Sequence, residues 1–204
     1  MEWTMTESQW DSKLNIQTVG RDGSHSDEYH HPYEPTPYSV LVRLAESGYI
    51  TRENTVIDYG CGKGRVGFFL NQQLGCSTVG VEYDASLYGR AKENQFYYIG
   101  NPNISFVCAS AENYPVGDAD CFYFFNPFSE EILKAVLGRI MDSWYENPRE
   151  LKLFFYYPSD EYVSYLMTAD ELVFQDEIDC RDLFAGNDPR ERVLIFSTSG
   201  AVGE

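Results

Sequence analysis

Asp58, Glu82 and Asn126 are the residues whose types and spacing invite chemistry, and the first sits in the least ordinary stretch of the chain. In Val56-Ile57-Asp58-Tyr59-Gly60-Cys61-Gly62-Lys63-Gly64-Arg65-Val66-Gly67 an apolar run meets four glycines. Glycines without Cβ atoms let a backbone approach a ligand closely, and the N–H groups opening the next helix point into the same space. An anionic or carboxylate-bearing ligand is the expected occupant. Asp58 narrows this. A carboxylate gains nothing beside a pyrophosphate, whereas a ligand ammonium would gain a charge-assisted hydrogen bond. Acid and glycine loop together point to a zwitterion. Glu82 ends the next apolar run, 24 positions after Asp58, where a doubly wound fold places the carboxylate that grips ribose hydroxyls.

The elements that must position these residues alternate. Thr55 to Ile57 reads as a buried strand, and Lys63 to Leu74 as the first crossover helix. Ser77 to Glu82 is a second strand, and Ala85 to about Tyr98 a helix with Asp84 as N-cap. Ile104 to Cys108 and Cys121 to Phe125 are further strands. Such alternation predicts a parallel sheet. Asn126-Pro127-Phe128 follows the fourth strand, so Asn126 and Asp58 are expected to face one crevice at the switch in strand order. Ser129 caps a helix to about Glu146 that buries Ile132, Val136, Leu137, Ile140, Met141 and Trp144. Leu151 to Tyr157 is a fifth strand, Asp160 to Met167 a short helix, and Leu172 to Ile178 with Arg192 to Thr198 a closing pair. The expected fold is α/β, a single doubly wound, mostly parallel seven-stranded sheet with an antiparallel last strand.

Asp58-x-Gly60-x-Gly62-x-Gly64 and Val79-Gly80-Val81-Glu82-Tyr83-Asp84 resemble the first two motifs of class I S-adenosylmethionine-dependent methyltransferases, over an order of elements from about residue 36 to 198. The resemblance implies a Rossmann-like methyltransferase fold with S-adenosyl-L-methionine as cofactor. Gly60, Cys61, Gly62 and Gly64 would hold its methionine part, and Glu82, followed by Tyr83, its ribose. It also puts Tyr33 and Thr36 near the cofactor carboxylate. Relatives commonly carry an acid where Ser110 stands, ahead of Ala111, to accept the adenine amino group. Here a serine oxygen would take that bond, or Glu112 would turn in to take it. Asn126-Pro127-Phe128 resembles the Asn-Pro-Pro-Tyr or Asn-Pro-Pro-Phe motif of amino-group methyltransferases with one proline missing. Asn126 Oδ1 and the Pro127 carbonyl would support positive charge developing on a nitrogen acceptor, and Phe128 would stack on a planar one. The same three residues equally well end a strand and begin a helix.

The segment before the domain, residues 1–36, reads as an N-terminal arm or lid, with residues 37–204 as the methyltransferase domain. Three prolines and three tyrosines crowd into Tyr29 to Tyr38, where Thr36 reads as an N-cap and Pro37 as the first position of a helix to about Gly48. His30 and His31 diverge in an extended segment and only His25 could join them, so no metal is expected. Five cysteines without C-x-x-C spacing read as reduced thiols.

Fifteen basic against 32 acidic residues give a net charge of −17, which makes extended nucleic acid a poor candidate partner. A small molecule or a protein side chain is the expected substrate. No run spans a bilayer, and Met1 to Trp10 carries neither a secretory signal nor a transit peptide, so the cytoplasm is the expected compartment. Oligomeric state is not legible.

Two rivals compete. Gly62-x-Gly64-x-x-Gly67 also satisfies the G-x-G-x-x-G of an NAD-dependent oxidoreductase, but that reading strands Asp58 well before the turn and leaves no room for a substrate domain. A catalytically inactive cofactor-binding protein would share the pocket without turnover.

Overall fold

The computed structural model describes residues 5–21 and 33–198. The sequence expectations for His25, His30 and His31, and for Tyr29 to Pro32 of the proline- and tyrosine-rich segment, lie outside the described residues.

Seven strands form one sheet: β1 (Thr55–Tyr59), β2 (Ser77–Glu82), β3 (Ile104–Cys108), β4 (Cys121–Phe124), β5 (Lys152–Tyr156), β6 (Leu172–Asp179) and β7 (Arg192–Thr198). Their order is β3-β2-β1-β4-β5-β7-β6. Neighbours from β3 to β5 pair in parallel, while β7 runs antiparallel to both β5 and β6. The strand order therefore reverses between β1 and β4, and a crevice opens beyond their carboxyl ends.

Helices α1 (Glu7–Leu14), α2 (Tyr38–Glu46), α3 (Arg65–Leu74), α4 (Ala85–Tyr97), α5 (Glu130–Glu146) and α6 (Asp160–Leu166) complete the described fold. One core gathers Trp10, Tyr38, Phe68 and Phe69 with Tyr123 and Phe154. The other sets Leu133, Val136 and Ile140 of α5 against Tyr59, Phe124 and Phe155. In this second core the Phe124 ring stacks on Phe155 at 4.7 Å and on Tyr59 at 5.2 Å, tying three adjacent strands together.

Side-chain caps set several helix starts. Asp84 Oδ1 accepts from the Ser86 and Leu87 N–H groups at 2.7 and 3.0 Å, satisfying donors the helix itself cannot. Ser129 caps α5 in the same way. Thr36 does not cap α2: the N-cap is Pro37, without a side-chain bond, and the Thr36 hydroxyl is paired instead with the Tyr123 hydroxyl at 3.0 Å. On α5, Leu133 is fully buried. Ile132, expected in the core stripe, is a partly buried member that reaches the crevice from the first turn.

The N-terminal residues are built into the core. Thr6 and Gln9 form a reciprocal capping box, and Trp10 is buried, 5.5 Å from the Tyr38 ring and edge-on to Phe69 at 5.1 Å.

Candidate cofactor and acceptor site

A cavity of about 110 Å³ lies beyond β1, β2 and β4, reached by Asp58, Gly60, Cys61, Glu82, Asn126 and Pro127. Asp58 sits in register with Gly80 on one side and Tyr123 on the other. It is buried, and its Oδ2 has no hydrogen-bond partner among the described residues. Burial, and then the nearby Glu82 carboxylate, push its pKa up to about 8. An unpaired buried carboxylate is costly unless something compensates it, and a cation entering the cavity would do so.

The glycine loop differs from expectation in what its glycines do. Gly60, Gly62 and Gly64 all have positive φ, at 75°, 55° and 87°, and close neighbours add a second reason for glycine. A Cβ on Gly60 would lie 2.5 Å from Pro127 Cβ, and one on Gly62 would collide with the Tyr33 ring. The close approach is therefore made by protein groups, Tyr33 before α2 and Pro127 after β4, which the loop draws against the site.

The loop donors are also spent. Gly60 and Cys61 N–H both donate to the Val81 carbonyl at 2.9 and 3.2 Å, and Gly64 N–H donates to the Cys61 carbonyl at 2.8 Å. Gly62 N–H donates to Glu82 Oε2 at 2.7 Å. The amides of Gly60, Cys61, Gly62 and Gly64 are thus already engaged within the protein. A pyrophosphate would meet carboxylates and already satisfied amides, whereas a cationic ligand meets the acid it needs.

Glu82 braces the loop and remains on the cavity wall. Its Oε1 accepts from Asp84 N–H at 2.9 Å. Burial raises its pKa, against the lowering effect of the hydrogen bonds from Asp84 and Gly62. Tyr83 lines the cavity and is 53% exposed. Ser110 is turned away from the lining: its Oγ accepts from Asn113 Nδ2 at 2.8 Å, within the 3-10 turn Ala111–Asn113. Ala111 and Glu112 line the cavity instead, and Glu112 Oε2 is buried without a partner among the described residues.

At the β4 end, Asn126 has φ +41°, a left-handed conformation that asparagine tolerates better than most residues. Phe128 also lines the cavity, though little of it is exposed. It is 97% buried, its ring meets Phe124 edge-on at 6.3 Å, and its carbonyl accepts from the Tyr162 hydroxyl at 2.6 Å. Phe125 is the partly exposed aromatic on the wall, braced by Tyr156 at 4.6 Å. Tyr123 also lines the cavity. The Tyr156 and Tyr157 hydroxyls are turned to Glu191 and Asp188.

Tyr33 and Thr36 both reach the cavity, with Tyr33 anchored by its hydroxyl on the Thr18 carbonyl at 2.7 Å. Beside them stands Arg65, a cavity residue that sequence reasoning did not single out. Its guanidinium is buried over the Tyr38 ring at 4.3 Å. Nε donates to Thr18 Oγ1 at 2.7 Å, and Nη1 to Glu7 and to the Thr36 carbonyl. Nη2 has no hydrogen bond among the described residues and lies 3.9 Å from Asp11 Oδ1. Asp11 meanwhile accepts from Thr18 Oγ1 and from the Tyr38 hydroxyl, both at 2.7 Å. The only sequence signal was an arginine opening the helix after the glycine loop.

Residues 56–145 match the family described as a methyltransferase domain. No curated protein matches the chain by sequence. Among solved structures, the chain is similar to an RNA methyltransferase from Salinibacter ruber in complex with S-adenosyl-L-homocysteine. That pair shares 18% identity, with 84% of this chain and 97% of that one covered, at a TM-score of 0.54. A TehB-like SAM-dependent methyltransferase from Corynebacterium glutamicum is 18% identical over 78% of this chain and 88% of that one, with a TM-score of 0.56. A precorrin-6y C5,15-methyltransferase from Geobacter metallireducens is 13% identical over 82% and 90%, also at 0.56. At these identities the structural resemblance bears on the fold.

Proposed function

We propose that this chain, a class I S-adenosylmethionine-dependent methyltransferase by its matched domain and its sheet order, transfers a methyl group to a nitrogen atom. The observation that carries the reading is the pair of incompletely satisfied groups on one cavity, the Asp58 carboxyl at Oδ2 and the Arg65 guanidinium at Nη2. An amino-acid tail presents an ammonium to the first and a carboxylate to the second. Nearby, Glu82 takes the ribose hydroxyls while keeping its hold on the glycine loop, and Glu112 accepts the adenine amino group in place of Ser110. Tyr33 and Thr36 close the methionine end.

When bound, the cofactor supplies a methyl group on a sulfonium sulfur, already activated for displacement. The chain's own residues align and dehydrate. Alignment of two reactants contributes on the order of 7 to 11 kcal/mol, and Pro127, packed against Gly60, fixes the β4 end relative to the loop. Asn126 Oδ1 and the Pro127 carbonyl accept hydrogen bonds from the acceptor nitrogen, bonds that strengthen as positive charge grows there. Phe125, rather than the buried Phe128, offers an aromatic face.

The test is calorimetry with adenosylhomocysteine and, separately, a nicotinamide dinucleotide. The expected result is saturable binding of the first with a raised melting temperature, and none of the second. The reverse would return the oxidoreductase reading.

A further inference from the structure

The charge balance of the cavity narrows the acceptor further, an inference that rests on the methyltransferase reading above. Five carboxylates line it, Glu34, Asp58, Glu82, Asp84 and Glu112, against one guanidinium, Arg65. Arg65 is already bonded to Glu7 and close to Asp11, and its remaining Nη2 is assigned to the cofactor carboxylate. Among the described residues that line the cavity, a phosphate or carboxylate on the acceptor therefore finds no further cation to hold it.

Of the five acids, Asp58, Glu82 and Glu112 are assigned to the cofactor, and Asp84 caps α4. Glu34 is left over. Its partner is Arg21, and the two side chains are 45% and 76% exposed. An ion pair this exposed contributes little, so exchanging it for a ligand cation costs little. The Tyr33 ring is already occupied by the Lys63 ammonium at 4.7 Å, but the same cavity carries the partly exposed ring of Phe125, and a carboxylate near an aromatic ring favours a positively charged nitrogen.

We propose that the acceptor is a primary or secondary alkylamine, a cation in solution, held by Glu34 and Phe125 with its nitrogen delivered to Asn126. The ammonium first loses one proton to solvent at the cavity mouth. The nitrogen lone pair then forms the N–C bond as the C–S bond breaks, and that bond's electron pair stays on sulfur as a neutral thioether. The product leaves as the methylated ammonium ion.

The shared chemistry could be offered by a small amine or by a lysine side chain, and the experiment has an arm for each. The protein saturated with adenosylhomocysteine is titrated with n-butylamine, n-butanol and butyrate, and with a one-lysine peptide against its norleucine counterpart. Turnover of each with S-adenosylmethionine is followed by product mass. At least one amine is expected to bind at least tenfold tighter than its uncharged or anionic counterpart and to gain 14 mass units, roughly one methyl for hydrogen. Glu34→Gln is expected to weaken amine binding about tenfold, with the adenosylhomocysteine dissociation constant within about twofold of the parent. Equal binding of butanol or butyrate, an unaffected E34Q, or no methylated amine from protein that binds adenosylhomocysteine overturns the proposal. Failure of adenosylhomocysteine itself to bind would instead refute the underlying methyltransferase reading, and the acceptor assignment with it.

Discussion

Replacing Asp58 with asparagine should move two properties in opposite directions. In the ligand-free protein the Asp58 carboxyl is held at about 8 against an ordinary 3.8, by burial and then by Glu82. A folded-state pKa raised above the unfolded one means the unfolded chain releases its proton first. The stability associated with this group is therefore fully present below the unfolded value and is lost as pH climbs through about 8. At about 1.4 kcal/mol per pH decade, the loss over that window is on the order of 5 kcal/mol. Asparagine keeps the shape and removes the charge, so D58N should melt well above the parent at pH 8.5 and close to it at pH 4.5. Cofactor binding should show the reverse. Loss of a charge-assisted bond to the ammonium costs about 1.5 to 3 kcal/mol, or roughly 10- to 150-fold in affinity. The parent's affinity for adenosylhomocysteine should also rise as pH approaches 8, because binding needs the carboxylate that the empty site protonates. Differential scanning fluorimetry across pH and calorimetry with adenosylhomocysteine measure the two effects. A D58N protein no more stable than the parent at pH 8.5, or one binding adenosylhomocysteine equally well, would refute the assignment of Asp58 as an uncompensated acid awaiting a cation.

Glu82→Ala should lose about 2 to 3 kcal/mol of adenosylhomocysteine affinity and also lower the melting temperature, since the Gly62 N–H loses its acceptor. Unchanged calorimetry would reject the ribose role. Arg65→Ala should destabilise by about 3 to 5 kcal/mol, because it takes the nearby counter-charge from the buried Asp11 and removes the bonds to Thr18 and the Thr36 carbonyl. Denaturant midpoints measure this. Trp10→Ala should cost about 3 to 5 kcal/mol, as expected for a ring wedged between Tyr38 and Phe69, and a near-parent midpoint would contradict its burial. Asn126→Ala should keep adenosylhomocysteine affinity and lower the single-turnover methyl-transfer rate by about tenfold or more. Equal rates would return Asn126 to the role of a strand end.

The centre of the sheet was legible because β4 and β5 are largely continuous apolar runs. Cys121 to Phe124 could be nothing but buried, and the element order left one sensible winding. Asp84 and Ser129 were readable for local reasons, from cap chemistry, and Leu172 to Ile178 with Arg192 to Thr198 as a closing pair. What stayed hidden was long-range. Thr36 has the chemistry of an N-cap, but Tyr123, 87 positions away, claims its hydroxyl. Closer in sequence, Ser110 and Glu112 were both open as the adenine contact, and the 3-10 turn gives the Ser110 oxygen to Asn113 and leaves Glu112 on the cavity. Phe125 and Phe128 look interchangeable in sequence, and only packing under Tyr162 and Phe124 sends Phe128 inward. Arg65 carries no motif, because its partners Glu7, Asp11, Thr18 and Thr36 are spread over thirty residues and converge only after folding.

That convergence changes what the front of the chain is for. Residues from Glu7 to Thr18 supply acceptors for a guanidinium that stands directly after the glycine loop. Trimming the protein to begin at α2 would leave that cation without its counter-charges and the adjoining turn without its clamp. A shortened protein of this kind is expected to come out of expression as aggregate rather than as a smaller, working enzyme.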